Sequence, residues 1–238
     1  MRYAMDRPHR CLVVWADGPT VDLRPERLRQ TVPALFRGNA EPAIVTLPLG
    51  PSIAVWWSPP DPRALAVPEQ IDPAVRGAIG PVAHGIAGFR ASYLDALGAR
   101  RVAVLEQAPA GSLTDHADVA VRALASADLE QAARFVRGAL GDLGETDPAV
   151  RELAATLHAF LDHGSNLRAT ASAMGVHHNT VANRIRRAEA LLPHPTVGRT
   201  AEILLALELL AIADHTGGHE PHAVGARAAA GAALPGLL

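Results

Sequence analysis

The apolar positions of this chain change period from block to block, and the periods predict the elements. Cys11 to Trp15 is a short apolar, β-favouring run and predicts a strand. From about Pro25 to Phe36 the spacing of Leu28, Val32, Leu35 and Phe36 is helical. Ala43 to Leu47 and Ile53 to Trp57 predict two strands joined through Pro48-Leu49-Gly50-Pro51 as a hairpin, and a Pro-rich loop from Ser58 to Pro68 follows. Ile86 to Val102 carries Phe89, Tyr93 and Leu97 at helical spacing, and Val102 to Leu105 is expected to return as a strand. The order β-α-β-β-α-β predicts a small α+β domain, with helices on one face of a mainly antiparallel sheet.

Leu113 to Leu143 reads as helical with interruptions, since Leu124, Leu129, Phe135, Val136 and Leu140 can line one side. Asp147-Pro148 has the form of an N-cap followed by a first-turn proline. The helix it opens carries Val150, Leu153, Ala154, Leu157, Phe160 and Leu161 as a core stripe and ends at Gly164. Thr200 to Asp214 is apolar nearly all round: Ile203, Leu207 and Leu210 form one row, and Leu205, Leu209 and Ile212 another. One row can seal the adjoining helices, while the other needs a second cover, either the preceding helical segment or a second subunit. After Asp214 the Ala- and Gly-rich sequence lacks periodicity and is expected to be a mobile tail. The expected organisation is an α+β regulatory or dimerisation domain over residues 1–112, a helical connector over 113–146, an all-α domain over 147–215 and a tail over 216–238.

Residues 166 to 187 say most about function. They read as a helix, a tight turn and a second helix. Gly175 supplies the positive φ at which the first helix stops. Ala171 is small enough for the two helices to approach, and Val181 and Ile185 pack the second onto the first with Leu167, Met174 and Val176. At about 100° per residue, Val181, Ile185, Ala188 and Leu192 share one side, which puts Asn179, Asn183, Arg186 and Arg187 opposite, with Thr180 and Arg184 flanking. Amides of that kind pair bidentately with adenine edges, and guanidinium forks suit guanine or phosphate. The expected base contacts are His178, Asn179, Asn183 and Arg186. The expected phosphate contacts are Asn166, Arg168, Thr180, Arg184 and Arg187, and His177 either caps the second helix or meets phosphate. A merely solvated face usually carries Glu and Lys as well. Between Asn166 and Arg199 there are five Arg against one Glu, a local +4 in a chain whose net charge is −2. That concentration points to duplex DNA as partner.

Composition narrows the remaining classes. The 238 residues are 49% apolar and only 4% aromatic, so the core is aliphatic and the length suits one large or two small domains. The single cysteine, Cys11, excludes an intramolecular disulfide and a cysteine-based zinc site, which fits a reducing cytoplasm, and its setting is that of a strand residue rather than a reactive thiol. No apolar run approaches the ~20 residues of a bilayer span, and no signal-peptide core follows Met1. All 22 basic residues are Arg, which we read as coding bias.

The run Leu161-Asp162-His163-Gly164-Ser165-Asn166, then Ala169 to Gly175, then Val176-His177-His178-Asn179-Thr180-Val181 and Arg184-Ile185, resembles the C-terminal helix-turn-helix of PucR/CdaR-type bacterial transcriptional regulators. His178, Ala182 and Asn183 stand where that family often has Arg, Arg and Tyr. The segment Gly85-Ile86-Ala87-Gly88-Phe89-Arg90-Ala91-Ser92-Tyr93-Leu94-Asp95-Ala96-Leu97 is similar to part of the degenerate GGDEF-like domain that precedes this helix-turn-helix in many CdaR-type proteins. The resemblance implies a cytoplasmic, sequence-specific DNA-binding regulator that reads the major groove with the helix starting near His178. Relatives commonly carry a further N-terminal sensory domain, so either sensing is expected to fall to the α+β domain or to a partner, or the chain is a shortened relative.

An enzyme is not expected. A diguanylate cyclase holds metal and nucleotide through a Gly-Gly-Asp/Glu-Glu-Phe hairpin, and Pro48-Leu49-Gly50-Pro51-Ser52 offers no carboxylate. Ser92 lies on a predicted helix without a nucleophile elbow. No cofactor or metal is expected: Gly217 and Gly218 break the helix that would align His215, His219 and His222, and His84 is a loop residue without a visible partner. The alternatives are a nucleotide-responsive or vestigial cyclase-type signalling protein and an interaction adaptor that has lost DNA binding. The implied partners are double-stranded DNA, a second copy in a homodimer, an unidentified small-molecule effector, and no membrane.

Overall fold

The computed structural model describes residues 3, 5–16, 28, 43–49, 52–58 and 71–213. Its sheet is built outward from β1 (Pro8–Trp15), which carries the apolar run around Cys11. The predicted hairpin is present: β2 (Ala43–Leu49) pairs antiparallel with β3 (Ser52–Ser58), with Leu49 opposite Ser52 next to the turn. β3 pairs antiparallel with β1 on one side, and β4 (Arg76–Ile79) does so on the other. β5 (Ala83–His84) pairs with the start of β1, and β6 (Leu113–Asp115) runs parallel to β4, so the sheet is mixed, in the order β2-β3-β1-β4-β6.

Alternation along β1 divides the core, because successive side chains of a strand leave opposite faces. Cys11, Val13 and Trp15, with Ala54, Trp56 and Ala78, face the helices. Leu12, Val14, Ile53, Val55, Trp57 and Ile79 fill the other face, where Leu28, Ile71 and Val75 are buried with them. Of the helix predicted for Pro25 to Phe36, only Leu28 lies within the described residues. The hairpin's Gly50 and Pro51, most of the Pro-rich loop and the tail with His215, His219 and His222 lie outside them.

α1 (Gly85–Leu105) packs across the helical face through Ser92, Ala96, Ala99, Val102 and Ala103. The strand expected at Val102 to Leu105 is therefore a correction. Val102 and Ala103 continue the buried stripe of α1, and the strand partner of β4 is supplied later, by Leu113 to Asp115. His84 is likewise no loop residue, since it pairs with Pro8 as part of β5.

The resembling segment of α1 has a physical reason at each key position. Gly85 sits at φ 69°, a left-handed conformation that glycine adopts without steric cost. Gly88 lies so close to Ala83 that a Cβ would be 2.8 Å from that residue's own Cβ. Phe89 stacks on Trp56 at 4.4 Å between ring centroids, and its carbonyl accepts from Trp56 Nε1. Ser92 is fully buried: its Oγ accepts from the Cys11 N–H at 2.9 Å and donates to the Pro81 carbonyl at 2.8 Å, joining β1, the β4–β5 connection and α1. Burial pushes the Cys11 thiol well above its ordinary range, so it behaves as a core residue.

α2 (His116–Ala125) and α3 (Leu129–Leu140) follow, capped by Asp115 and Asp128. The Asp115 carboxylate also receives Arg10 Nη2 at 2.8 Å, tying α2 to the central strand. Val136 and Leu140 are buried as expected, but Leu124 is 80% exposed, because α2 turns its Val119 and Ala123 inward instead. A 3₁₀ turn (Gly141–Gly144) leads to α4 (Pro148–Asp162), where Asp147 Oδ1 accepts from the N–H groups of Ala149 and Val150 and Pro148 occupies the first turn as read from the sequence. Two short helices come next, and α7 (Thr200–Ala213) closes the fold against α3 and α4.

His9 generates a pH prediction. It is fully buried in β1 against Phe89 and Tyr3, and its imidazole is held below its ordinary value, first by loss of water and then by His84, against the pull of the Arg7 and Gly85 backbones. The unfolded chain therefore takes up this proton more readily than the folded one, so the contribution is fully present above about pH 6.5 and is lost as pH falls below it. Thermal unfolding of the full chain should lose less stability between pH 6.5 and 5 in His9→Phe than in the parent. Identical pH slopes would show that His9 carries none of the dependence.

Candidate nucleic-acid interface

The candidate site rests on three consecutive turns of chain, each stopped and restarted by a residue suited to the task. α4 ends at Asp162, and Gly164 and Ser165 both take φ of 62° to redirect the backbone. Asn166 then caps α5 (Leu167–Met174): its Oδ1 accepts from the N–H groups of Arg168 and Ala169, both at 3.1 Å. α5 stops at Gly175, at φ 65° and ψ 29°, where Val176 N–H returns to the Ala171 carbonyl at 3.1 Å. Nothing lies within 4 Å of where a Gly175 Cβ would stand, so backbone conformation alone selects glycine here.

His177 opens α6 (His178–Leu191) as its N-cap, with Nδ1 accepting from Asn179 N–H at 3.3 Å. Its ring lies 4.1 Å from that of His178. α6 buries Val181, Ile185 and Ala188 and packs on α4 and α5, the latter supplying buried Thr170 and Ala171. Leu192, the last member of the predicted stripe, is the C-cap and only half-buried.

With that side fixed, the helical period leaves His178, Asn179, Thr180, Asn183, Arg186 and Arg187 exposed. Asn179, Asn183 and Arg186 lie most directly opposite the buried stripe and present amides and a guanidinium to solvent. The Arg186 Nε reaches back to the Ala182 carbonyl at 3.4 Å, which lays its side chain along the helix. Thr180 and Arg187 stand on one flank of α6, and Arg187 borders a cavity of about 290 Å³ with Ala149, Val150, Leu153, Ala190 and Leu191. Arg168 is exposed in the first turn of α5.

Two of the expected phosphate contacts are already engaged. The side-chain oxygen of Asn166 is used in capping α5. Arg184 is half-buried, and its Nη2 donates to Glu152 Oε1 on α4. Glu152 is absent from the sequence reading because the contact spans 32 positions, beyond any local spacing rule. Thr170 is the other omission: its hydroxyl donates to the Asn166 carbonyl at 2.9 Å inside the first turn of α5.

Comparison with known proteins adds to this geometry. The PucR C-terminal helix-turn-helix domain matches residues 153–211, and the GGDEF-like domain matches residues 1–102. The transcriptional activator PmfR of Paenarthrobacter nicotinovorans is 32% identical over 132 residues, 52% of this chain and 27% of that protein, so the chain spans about a quarter of this curated relative. The crystal structure of a regulator of polyketide synthase expression from Bifidobacterium adolescentis is 21% identical and covers 88% of this chain and 86% of its own, with a TM-score of 0.33, too low to carry an argument.

The two end-stops of α5 are testable. Asn166→Ala and Gly175→Ala should each cost about 1 kcal/mol in chemical denaturation, the first by losing a cap and the second by forcing a Cβ into left-handed backbone. Asn166→Asp and Gly175→Asn should recover most of it, because Asp caps as well and Asn tolerates that conformation. Equal losses for the conservative and the alanine variants would reject both assignments.

Proposed function

We propose, for a chain that belongs to the PucR/CdaR-type regulators through both its GGDEF-like and its PucR-type helix-turn-helix domains, that it is a sequence-specific DNA-binding transcriptional regulator. The observation that carries the reading is the two-sidedness of α6. Val181, Ile185 and Ala188 hold one side in the core, and Asn179, Asn183 and Arg186 are exposed on the other. A helix so placed enters the major groove, where side-chain amides and guanidinium groups distinguish base pairs. Arg168, Thr180 and Arg187 at its edges meet phosphates, which set register without reading sequence.

The GGDEF-like domain is regulatory and not catalytic in this reading. Its β2–β3 hairpin carries Pro48-Leu49-Gly50-Pro51-Ser52 and hence no carboxylate for a metal, and Ser92 is locked in two buried hydrogen bonds rather than poised as a nucleophile. Among the described residues no helix is long and apolar enough to cross a membrane. A small-molecule effector acting through this domain remains part of the proposal.

The protein acts as a homodimer in this proposal, because one helix-turn-helix reads only a short site and a two-fold pair reads two half-sites about 34 Å apart. The apolar helix α7 does not supply the reason. Ile203, Leu207, Leu209, Leu210 and Ile212 are all buried within one chain, and α3 provides the second cover that the sequence left open.

Duplex binding should weaken linearly in log–log terms with salt, by about 0.9 per phosphate neutralised. Asn183→Ala should reduce discrimination at one base position by ~1 to 3 kcal/mol while sparing random DNA, and Arg187→Ala should weaken all sequences alike. Fluorescence anisotropy across a salt series checks both. Salt-independent binding, or an Asn183 variant that loses random and selected DNA equally, contradicts the assignment.

A further inference from the structure

We propose that Glu152 is a built-in competitor for Arg184: in the free protein its carboxylate occupies the guanidinium that a DNA phosphate takes in the complex. The inference rests on the DNA-binding reading and concerns a residue outside the helix-turn-helix itself. Thr180, Arg184 and Arg187 are spaced i, i+4 and i+7, so they form one row along the flank of α6 between its buried stripe and its open amide face. Thr180 and Arg187 are exposed. Arg184, between them, is turned toward the second turn of α4, where Nη2 donates to Glu152 Oε1.

The pair is not sealed. The Glu152 side chain is 56% exposed and that of Arg184 21%, so water screens the contact and one side of the carboxylate faces solvent. A pair of this kind contributes little to stability. A duplex presents one negative charge per ~1.7 Å of axis, and the gain from releasing its condensed counterions exceeds what one exposed carboxylate offers. Arg184 needs only a side-chain rotation about its long stem to exchange one anion for the other, with Ile185 and Val181 still seated. The carboxylate then stands beside the phosphates unpaired, so the exchange carries a built-in cost that lowers affinity for every duplex by the same factor. Were the pair instead a strut that sets the angle of α6 on α4, breaking it would weaken binding.

The test is a double-mutant cycle on the full chain with a short duplex of mixed sequence. Glu152→Gln should tighten binding about three- to tenfold at ~0.1 M salt and leave the log–log salt dependence nearly unchanged, because Arg184 meets the same phosphate in both complexes. In an Arg184→Gln background the same change should give no gain. Thermal unfolding of Glu152→Gln should match the parent, which separates the effect from stability. Weaker binding by Glu152→Gln would establish the strut, and an equal gain with and without Arg184 would show general charge repulsion, so either result overturns the proposal. Parent protein that binds no duplex at any salt would overturn the regulatory reading itself, a different outcome from a parent that binds while the cycle shows no coupling.

Discussion

A helix that is apolar on nearly every side must be covered on nearly every side, and α7 is that helix here. Its Ile203, Ala206, Leu207, Leu209, Leu210 and Ile212 are buried, and no single neighbour can reach them all. α3 lies along one flank and α4 along another, so the requirement fixes α3, α4 and α7 as a unit before the short helices α5 and α6 are considered. That order matters because α5 has only eight residues, too few to persist alone. It stands because both ends are stopped, by Asn166 and Gly175, and because the unit beneath it offers a preformed surface. The apolar cluster that begins at Cys11 in the sheet runs without a break to Ile212 in α7, so the α+β and helical parts share a core.

The sheet side depends on a smaller device. Gly80 and Gly88 let backbone approach backbone where α1 crosses β4 and β5: a Cβ at Gly80 would collide with the Ser92 carbonyl, and one at Gly88 would meet Ala83. The Ser92 hydroxyl then satisfies a donor from β1 and an acceptor from Pro81 at the same depth, which a buried polar group requires. Phe89 and Trp56 fill the remaining space by stacking. The glycines and serine that mark this segment in the sequence are thus the residues of a close crossing.

What was legible in the sequence was local. The hairpin, the Asp147-Pro148 helix start and the helix-turn-helix all follow from short-range spacing and chain-end chemistry, and each stands where it was read. The misreadings share a cause, which is that the deciding partner is distant. Arg76 to Ile79 shows no β pattern over four residues and becomes a strand only because β1 and β6 flank it. Val102 to Leu105 has strand-like composition, yet its place on α1 is decided by the sheet beneath. Leu124 fits a helical stripe on paper and faces water because α2 is rotated by its contacts with α1. In the candidate site the exposed face of α6 was readable from the helical period, whereas the engagement of Arg184 by Glu152 needs the tertiary packing of α4.

The same distant contacts join the α+β part to α6. Arg10 in β1 holds Asp115 at the first turn of α2, and Arg122 in the last turn lies 3.0 Å from Glu106, just past α1, and 3.3 Å from Glu208 on α7. α7 packs on α4, and α4 packs on α6. Contiguity transmits a displacement only where some link has two arrangements of similar energy. The buried links, such as Val136 or Leu157 in the shared core, lack that freedom, because close-packed interiors resist small shifts. The Arg122 contacts differ: all three charged groups are partly open to water, so their exchange for solvent costs little. A displacement of α2 against α1 therefore meets little resistance from the Arg122 contacts, one helix away from α4 and the α6 packed on it.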